Sequence, residues 1–284
     1  MNQPVRDKRP DYLMLGHVTR DKTPDGAILG GTSSYAAVTA RKLGCDVAIV
    51  TGIGPDIPSM AILDGIAVEC LTFSESVTFE NVYQNGVRFQ KWSGQPGDIT
   101  LDAVPGLWRQ APIVHFGPIA QEVSPALVDA FPDSLICATV QGWLRGRDDQ
   151  NNVIYQPNPE LATWLPKIDV MVMSPADVEG DQDRLVQLLT TVKLGVETLG
   201  PRGCRVYYQG ETFEIPVKTM EEIDPTGAGD IFAAAFFIEY HRTNDFVKAA
   251  RFANACGSLS VGQIGVDGTP GSEEVQAWMK ELYG

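Results

Sequence analysis

Six short apolar runs, at residues 12–15, 47–53, 113–116, 135–140, 170–173 and 196–199, recur along the chain with longer stretches of helical period between them. Runs of that length, bounded by Gly, Pro and Asp, predict strands of a mainly parallel sheet covered by helices on both faces. At 284 residues and 44% hydrophobic content the chain can bury one large core, and no repeat or low-complexity linker divides it. A single α/β domain over residues 1–284 is therefore expected.

One region breaks that rhythm. Residues 77–92, VTFENVYQNGVRFQKW, hold two alternating segments joined around Asn85 and Gly86, a favoured hairpin turn. Together with residues 27–30 this predicts a small β flap, about 20–31 and 74–95, closing over a pocket at the sheet edge. An ordinary surface hairpin fits the same pattern.

Charge excludes one class of partner. With 22 Lys and Arg against 36 Asp and Glu, the net charge of −14 repels a phosphate backbone, so no nucleic acid is expected. An acidic chain still binds a nucleotide, since that needs only a local cluster of amides. Five scattered cysteines without a CxxC pair point to reduced thiols rather than disulfides or zinc. The polar opening MNQPVRDKRPDY lacks an apolar core, and residues 231–238 are too short to span a bilayer. A cytoplasmic protein without a membrane partner is the expectation.

The segment EIDPTGAGDIFAAAFF, residues 222–237, carries the chemistry: a glycine-rich turn runs straight into an apolar, alanine-rich helix. Gly227 and Gly229 let a ligand approach the backbone, and first-turn amides with the helix dipole suit a transferring phosphoryl group. Asp230, in that first turn, is favoured there as a carboxylate and is expected to stay ionised at neutral pH, a candidate general base. A bare glycine turn with an acidic helix start is common in α/β proteins.

DPTGAGD ahead of an apolar helix resembles the C-terminal signature of the ribokinase-like, or PfkB, carbohydrate kinases, and Gly30 and Gly31 in ILGGTSSYAAVTARKLG resemble that family's N-terminal di-glycine motif. The likeness spans nearly the whole chain. It implies a ribokinase-like three-layer α/β/α fold with a β-strand lid, and ATP and Mg²⁺ as cofactors. It makes Asp230 the base and Gly227, Ala228 and Gly229 an anion hole. Asp21 resembles the acid that binds sugar hydroxyls, the other reading being a turn Asp. Thr198, Gly200 and Gly203 resemble the nucleotide-side strand and loop. Asp224, Thr226 and Gly257 fall on the same side, with Asn254 lining the adenine or lying as a helix-surface amide. For the lid, the resemblance leaves two forms open, a homodimer in which it packs against a partner's lid and a free flap.

Two positions depart from the family pattern. Tyr35 stands where an Asn commonly touches the substrate, which argues against ribose or fructose. Ser174 and Asp177 replace the usual Asn and Glu of the Mg²⁺ and phosphate network; Asp177 either keeps an oxygen ligand for the cation or caps the following helix. ATVQGWLRGRDDQNNVIY, residues 138–155, looks closer to plant-type myo-inositol kinases, with Gln141 and Arg145 facing the polyol or lying in a solvated loop. Two rivals remain: a dinucleotide oxidoreductase, prompted by Gly52, Ile53 and Gly54 but lacking the third glycine, and an idle relative that binds a polyol or nucleotide.

Overall fold

The computed structural model describes residues 7–24, 26–84, 87–94, 97–218 and 220–283. In chain order the elements are β1 (Tyr12–Leu15), β2 (Thr19–Thr23), β3 (Gly26–Gly30), α1 (Thr32–Lys42), β4 (Val47–Ile53), β5 (Ala67–Thr72), β6 (Thr78–Gln84), β7 (Val87–Ser93), β8 (Ile113–Phe116), β9 (Leu135–Thr139), β10 (Arg145–Arg147) and β11 (Val153–Tyr155). The second half adds α2 (Leu161–Trp164), β12 (Val170–Met173), α3 (Gln182–Thr191), β13 (Leu194–Thr198), β14 (Cys204–Tyr208), β15 (Glu211–Ile215), α4 (Ala228–Thr243), α5 (Phe246–Ser260) and α6 (Ser272–Tyr283).

Nine strands form one sheet in the order β15-β14-β13-β12-β9-β8-β1-β4-β5, parallel from β5 across to β13. At one edge β14 runs antiparallel between β13 and β15. The apolar run predicted at 196–199 is strand from Leu194 to Thr198, two residues earlier at its start. Alternation through the sheet splits the core in two. Tyr12 and Met14 face a cluster roofed by α1, α4, α5 and α6, while Leu13 and Leu15 face one roofed by α2 and α3. Helices thus cover both faces, and the strands read as unbroken apolar runs for that reason.

Helix α4 is buried around its whole circumference from Ile231 to Ile238. Its alanines at 233–235 and those of α5 at 249, 250, 253 and 255 let the two helices lie close. Truncating Phe236 in that layer is expected to cost about 3–5 kcal/mol. The turn between them is local chemistry: Asn244 takes the left-handed conformation (φ 51°) that ends α4, and the Asp245 carboxylate accepts from the Val247 and Lys248 amides to start α5.

A second, four-stranded sheet in the order β3-β2-β6-β7 lies beside the main one, and β10 and β11 form a short hairpin joined to β7. The expected turn at Asn85 and Gly86 lies outside the described residues. No helix among the described residues is long and apolar enough to cross a membrane. All five cysteines are free thiols, three of them buried.

Candidate active site

The sheet's parallel strands end along one rim, and the loops leaving them line a cleft of about 560 Å³. Thr139, Ser174 and Thr198, at or just after the ends of β9, β12 and β13, lie on its wall, the usual ligand position in an open α/β sheet. Helix α4 points its first turn into the middle of the cleft, because its N-terminus starts from the left-handed Gly227 (φ 78°). A Cβ added there would meet the Tyr35 ring at 2.3 Å, so the glycine is dictated both by its dihedral and by its neighbour. Gly229 is different: a Cβ on it would meet nothing within 4 Å and would project into open cleft.

The first-turn amides are not equivalent. Ala228 N–H donates to the Pro225 carbonyl at 3.2 Å, whereas no hydrogen bond within the described residues takes up the amides of Gly227, Gly229 and Asp230. The open donors are therefore those three rather than the Gly227, Ala228 and Gly229 set expected from sequence.

Asp230 is reached by solvent only through the cleft, and protein hems it in on its other sides. Burial pushes its carboxyl up to about 6, opposed by a hydrogen bond from the Thr32 hydroxyl (2.8 Å) and by the Arg145 charge. The helix start thus does not hold it in the ordinary carboxylate range, as its position alone predicts; loss of water outweighs the dipole. It is still mostly ionised at pH 7, and poised to accept a proton.

On the opposite wall, Asp21 projects from β2, with Thr19 donating to one oxygen at 2.6 Å. Gly30 itself does not line the cleft: it sits under Asp21, where a Cβ would stand 2.2 Å from the carboxylate. Gly31 (φ 86°) does line it and starts α1. Arg145 reaches the cleft from β10 with its guanidinium 5.5 Å over the Phe79 ring of the four-stranded sheet. Gln141 is tied to Asp177, donating to Oδ1 at 3.1 Å. The other oxygen of Asp177 accepts from the Ser174 amide (2.7 Å) and hydroxyl (3.0 Å), a capping box. Of the two readings of Asp177, the structure shows the cap; its Oδ1 accepts only the Gln141 amide, and the half-buried side chain still borders the cleft. No group of three or more His, Cys, Asp or Glu placed to hold a metal occurs among the described residues.

Beyond Gly229 the cleft continues past Thr198, Gly200 and Gly203 to apolar walls of Val217, Met220 and Val261. Asp224 lines it but is engaged locally. It accepts from the Thr226 amide (2.9 Å) and the Gly265 amide (3.0 Å), and although partial burial opposes them, these bonds and the Thr226 hydroxyl hold its carboxyl below the ordinary range. Asn254 borders the cleft too, yet its amide nitrogen donates to the Ile215 carbonyl at 3.0 Å, bracing β15 rather than standing free as a surface amide. Gly257 lies where α5 passes Phe232 and the Ala228 carbonyl, each 3.7 Å from an added Cβ. Sequence reasoning missed Thr32, the partner of Asp230, although it directly follows the di-glycine. It also missed Asn81 and Gln90, which bring polar groups to the cleft from β6 and β7 and bond each other at 3.3 Å.

The cleft, its glycine-bounded helix mouth and the sheet order define a ribokinase-like α/β fold. Solved structures agree: a pyrophosphate-dependent kinase in the ribokinase family, complexed with a pyrophosphate analog and myo-inositol, superposes with a TM-score of 0.75 at 19% identity, covering 88% of this chain and 94% of that one. Arabidopsis thaliana ribokinase complexed with ribose and ATP gives a TM-score of 0.75 at 19% identity over 96% and 99%. Among sequences, the ribokinase of Bacillus subtilis (strain 168) is 28% identical over 288 residues, covering 91% of this chain and 94% of the relative. The pfkB family carbohydrate kinase pattern matches residues 130–271, half of the chain. The chain belongs to that family and is a carbohydrate kinase.

Proposed function

We propose that the protein transfers the γ-phosphoryl group of ATP to a hydroxyl of a small polyol, sugar or cyclitol, with a myo-inositol-like ring as the preferred acceptor. The observation that carries this reading is the Asp230 carboxylate beside the open amides of Gly229 and Asp230, in one cleft with Asp21 on the facing wall.

The acceptor sits between Asp21 and Asp230. Asp21 can only accept hydrogen bonds, so it selects substrate hydroxyls. Asp230, poorly hydrated and near neutrality in its affinity for protons, takes the proton of the attacking hydroxyl. The first-turn amides hold the phosphoryl oxygens, and the Arg145 guanidinium adds positive charge where negative charge is spread in transfer. The apolar slot of Val217, Met220 and Val261 suits a nucleobase, which favours ATP over pyrophosphate as donor. Asp177, which borders the cleft, would be the residue near which Mg²⁺ is held, and the cation would offset the charge of the phosphates. The four-stranded sheet acts as the lid, and its exposed Ile28 and Phe89 are the surface through which two copies would pair.

The test is a coupled assay of acceptor-dependent ADP release over inositols, ketoses, aldoses and nucleosides, repeated with pyrophosphate in place of ATP and read as phosphate release. Turnover of an inositol with ATP is expected to exceed that of the other acceptors. Preference for a nucleoside, or for pyrophosphate, would overturn the corresponding half of the reading.

A further inference from the structure

Thr139 ends β9 on the cleft wall, 7% exposed, and behind it two fully buried polar side chains form a line into the core. His115 Nε2 lies 2.9 Å from the Thr139 hydroxyl oxygen, and His115 Nδ1 lies 2.7 Å from the Tyr12 hydroxyl. The line follows from sheet register. β1, β8 and β9 are neighbours, with Met14 opposite His115 and His115 opposite Cys137, so Tyr12, His115 and Thr139 fall on one face at diagonal positions.

Proton placement along this line is fixed by burial. Full burial lowers His115 to about 3, so the ring is neutral and carries one N–H. Tyr12 is buried completely and keeps its phenolic hydrogen, whose one acceptor within the described residues is His115 Nδ1. With the ring proton on Nδ1 instead, that hydrogen would be sealed in the core without an acceptor, an expensive arrangement. The proton therefore sits on Nε2 and is donated to Thr139 Oγ1. The Thr139 hydroxyl, already accepting from the ring, turns its own hydrogen away from the core, where no acceptor within the described residues meets it and the cleft does.

The cleft that it faces is the acceptor half. A Cβ placed on Gly117 would stand 2.2 Å from Met14 Cε, 2.8 Å from Thr32 Cγ2 and 3.4 Å from Thr139 Oγ1, so Thr139 and the threonine that holds Asp230 flank the same glycine, beside the Met14 methyl group. We propose that Thr139 is a substrate-positioning residue whose hydroxyl, held as a donor by the Tyr12–His115 line, binds an oxygen lone pair of the acceptor close to the reacting hydroxyl. This deepens the polyol reading above and rests on it. Asp21 offers only acceptors and Thr139 a directed donor, so the pair selects a hydroxylated ring that presents both a hydrogen and a lone pair, and discriminates against analogues lacking that oxygen.

Two measurements test it. In the first, Thr139→Val removes the hydroxyl at nearly constant shape and Thr139→Ser retains it, with KM and kcat measured for the best acceptor and for ATP. The valine variant is expected to raise the acceptor KM about tenfold while leaving the ATP KM within twofold, and the serine variant to return the acceptor KM to within about threefold of wild type. An unchanged acceptor KM in Thr139→Val, or a serine variant as impaired as the valine one, overturns the proposal. In the second, imidazole ¹⁵N spectra of the ligand-free protein are assigned by difference against His17→Asn and His241→Asn, which with His115 are the three histidines of the chain. A neutral ring protonated at Nε2 is expected; a proton on Nδ1, or a charged ring at pH 6, overturns it whatever the acceptor. Wild-type protein with no polyol-dependent turnover would instead sink the polyol reading alone, because the spectra judge the proton placement separately.

Discussion

Two aspartates that line the cleft stand at the starts of helical turns, and their surroundings give them opposite chemistry. Asp177 accepts from the Ser174 amide, the Ser174 hydroxyl and the Gln141 amide, so each oxygen holds protein. Among the described residues Asp230 accepts a side-chain hydrogen bond only from Thr32, in a place that burial makes costly for charge, and its pKa rises to about 6. A carboxylate surrounded by protein donors is a strut. One left short of donors where burial disfavours its charge retains lone pairs for a reaction. Proximity to a cleft does not separate the two; the count of donors does.

The largest expected break of this contrast is Asp230→Asn, which should lower turnover about a thousandfold while retaining the fold. The same change should also stabilise the protein at pH 8. The folded pKa of Asp230 lies above its unfolded value near 3.8, so its contribution to stability is present at low pH and is lost as pH rises to about 6. Removing the charge is worth about 1–2 kcal/mol above that range, after allowance for solvent reaching it through the cleft, and nothing below about pH 4. Equal stability of the two proteins at pH 8 would contradict the burial that raises its pKa.

Gly229→Ala comes next. With open space around the new methyl group, melting is expected to stay within about 0.5 kcal/mol of wild type while kcat/KM for ATP falls at least tenfold, because the methyl occupies the phosphate's approach. A normal ATP kcat/KM would place the phosphoryl elsewhere. Thr32→Val removes the hydrogen bond that opposes burial, so the acid limb of the kcat/KM profile, expected near pH 6, should move up by about one unit. An unmoved limb would assign it to another group. Smallest is Asp177→Ala, expected to cost about 1 kcal/mol in denaturant melts through its lost cap and to leave turnover within a few-fold. A thousandfold loss there would make it the equal of Asp230 and erase the contrast.

Much of this was legible in advance, and the rest has physical reasons for being hidden. The parallel strands announce themselves because sheets covered on both faces need unbroken apolar runs. The hairpin of β14 and β15 was missed, although Gln209 (φ 51°) and Gly210 (φ 81°) form the two-residue turn with both angles positive that suits such a hairpin. The helix mouth at Gly227 was visible as a motif, yet the choice among its amides was not, because it depends on where the Pro225 carbonyl points. The raised proton affinity of Asp230 was hidden for the same kind of reason: the helix start is local, but the burial that outweighs it comes from parts of the chain distant in sequence, Thr32 of α1 among them. Thr32, 198 residues from Asp230, becomes its partner only when α1 and α4 are laid side by side.

The division of the interior by the central sheet has a last consequence. Both helices that open into the cleft, α1 and α4, rest on the same cluster, and the layer under α3 touches the reaction only through the turns that follow β9 and β12. The chain therefore has a quiet side and a loud side. Repacking beneath Leu185 and Leu189 changes how long the molecule survives heating, whereas the same liberty taken beneath Ile231 and Phe232 changes what it catalyses; an attempt to harden this protein should begin on the quiet side.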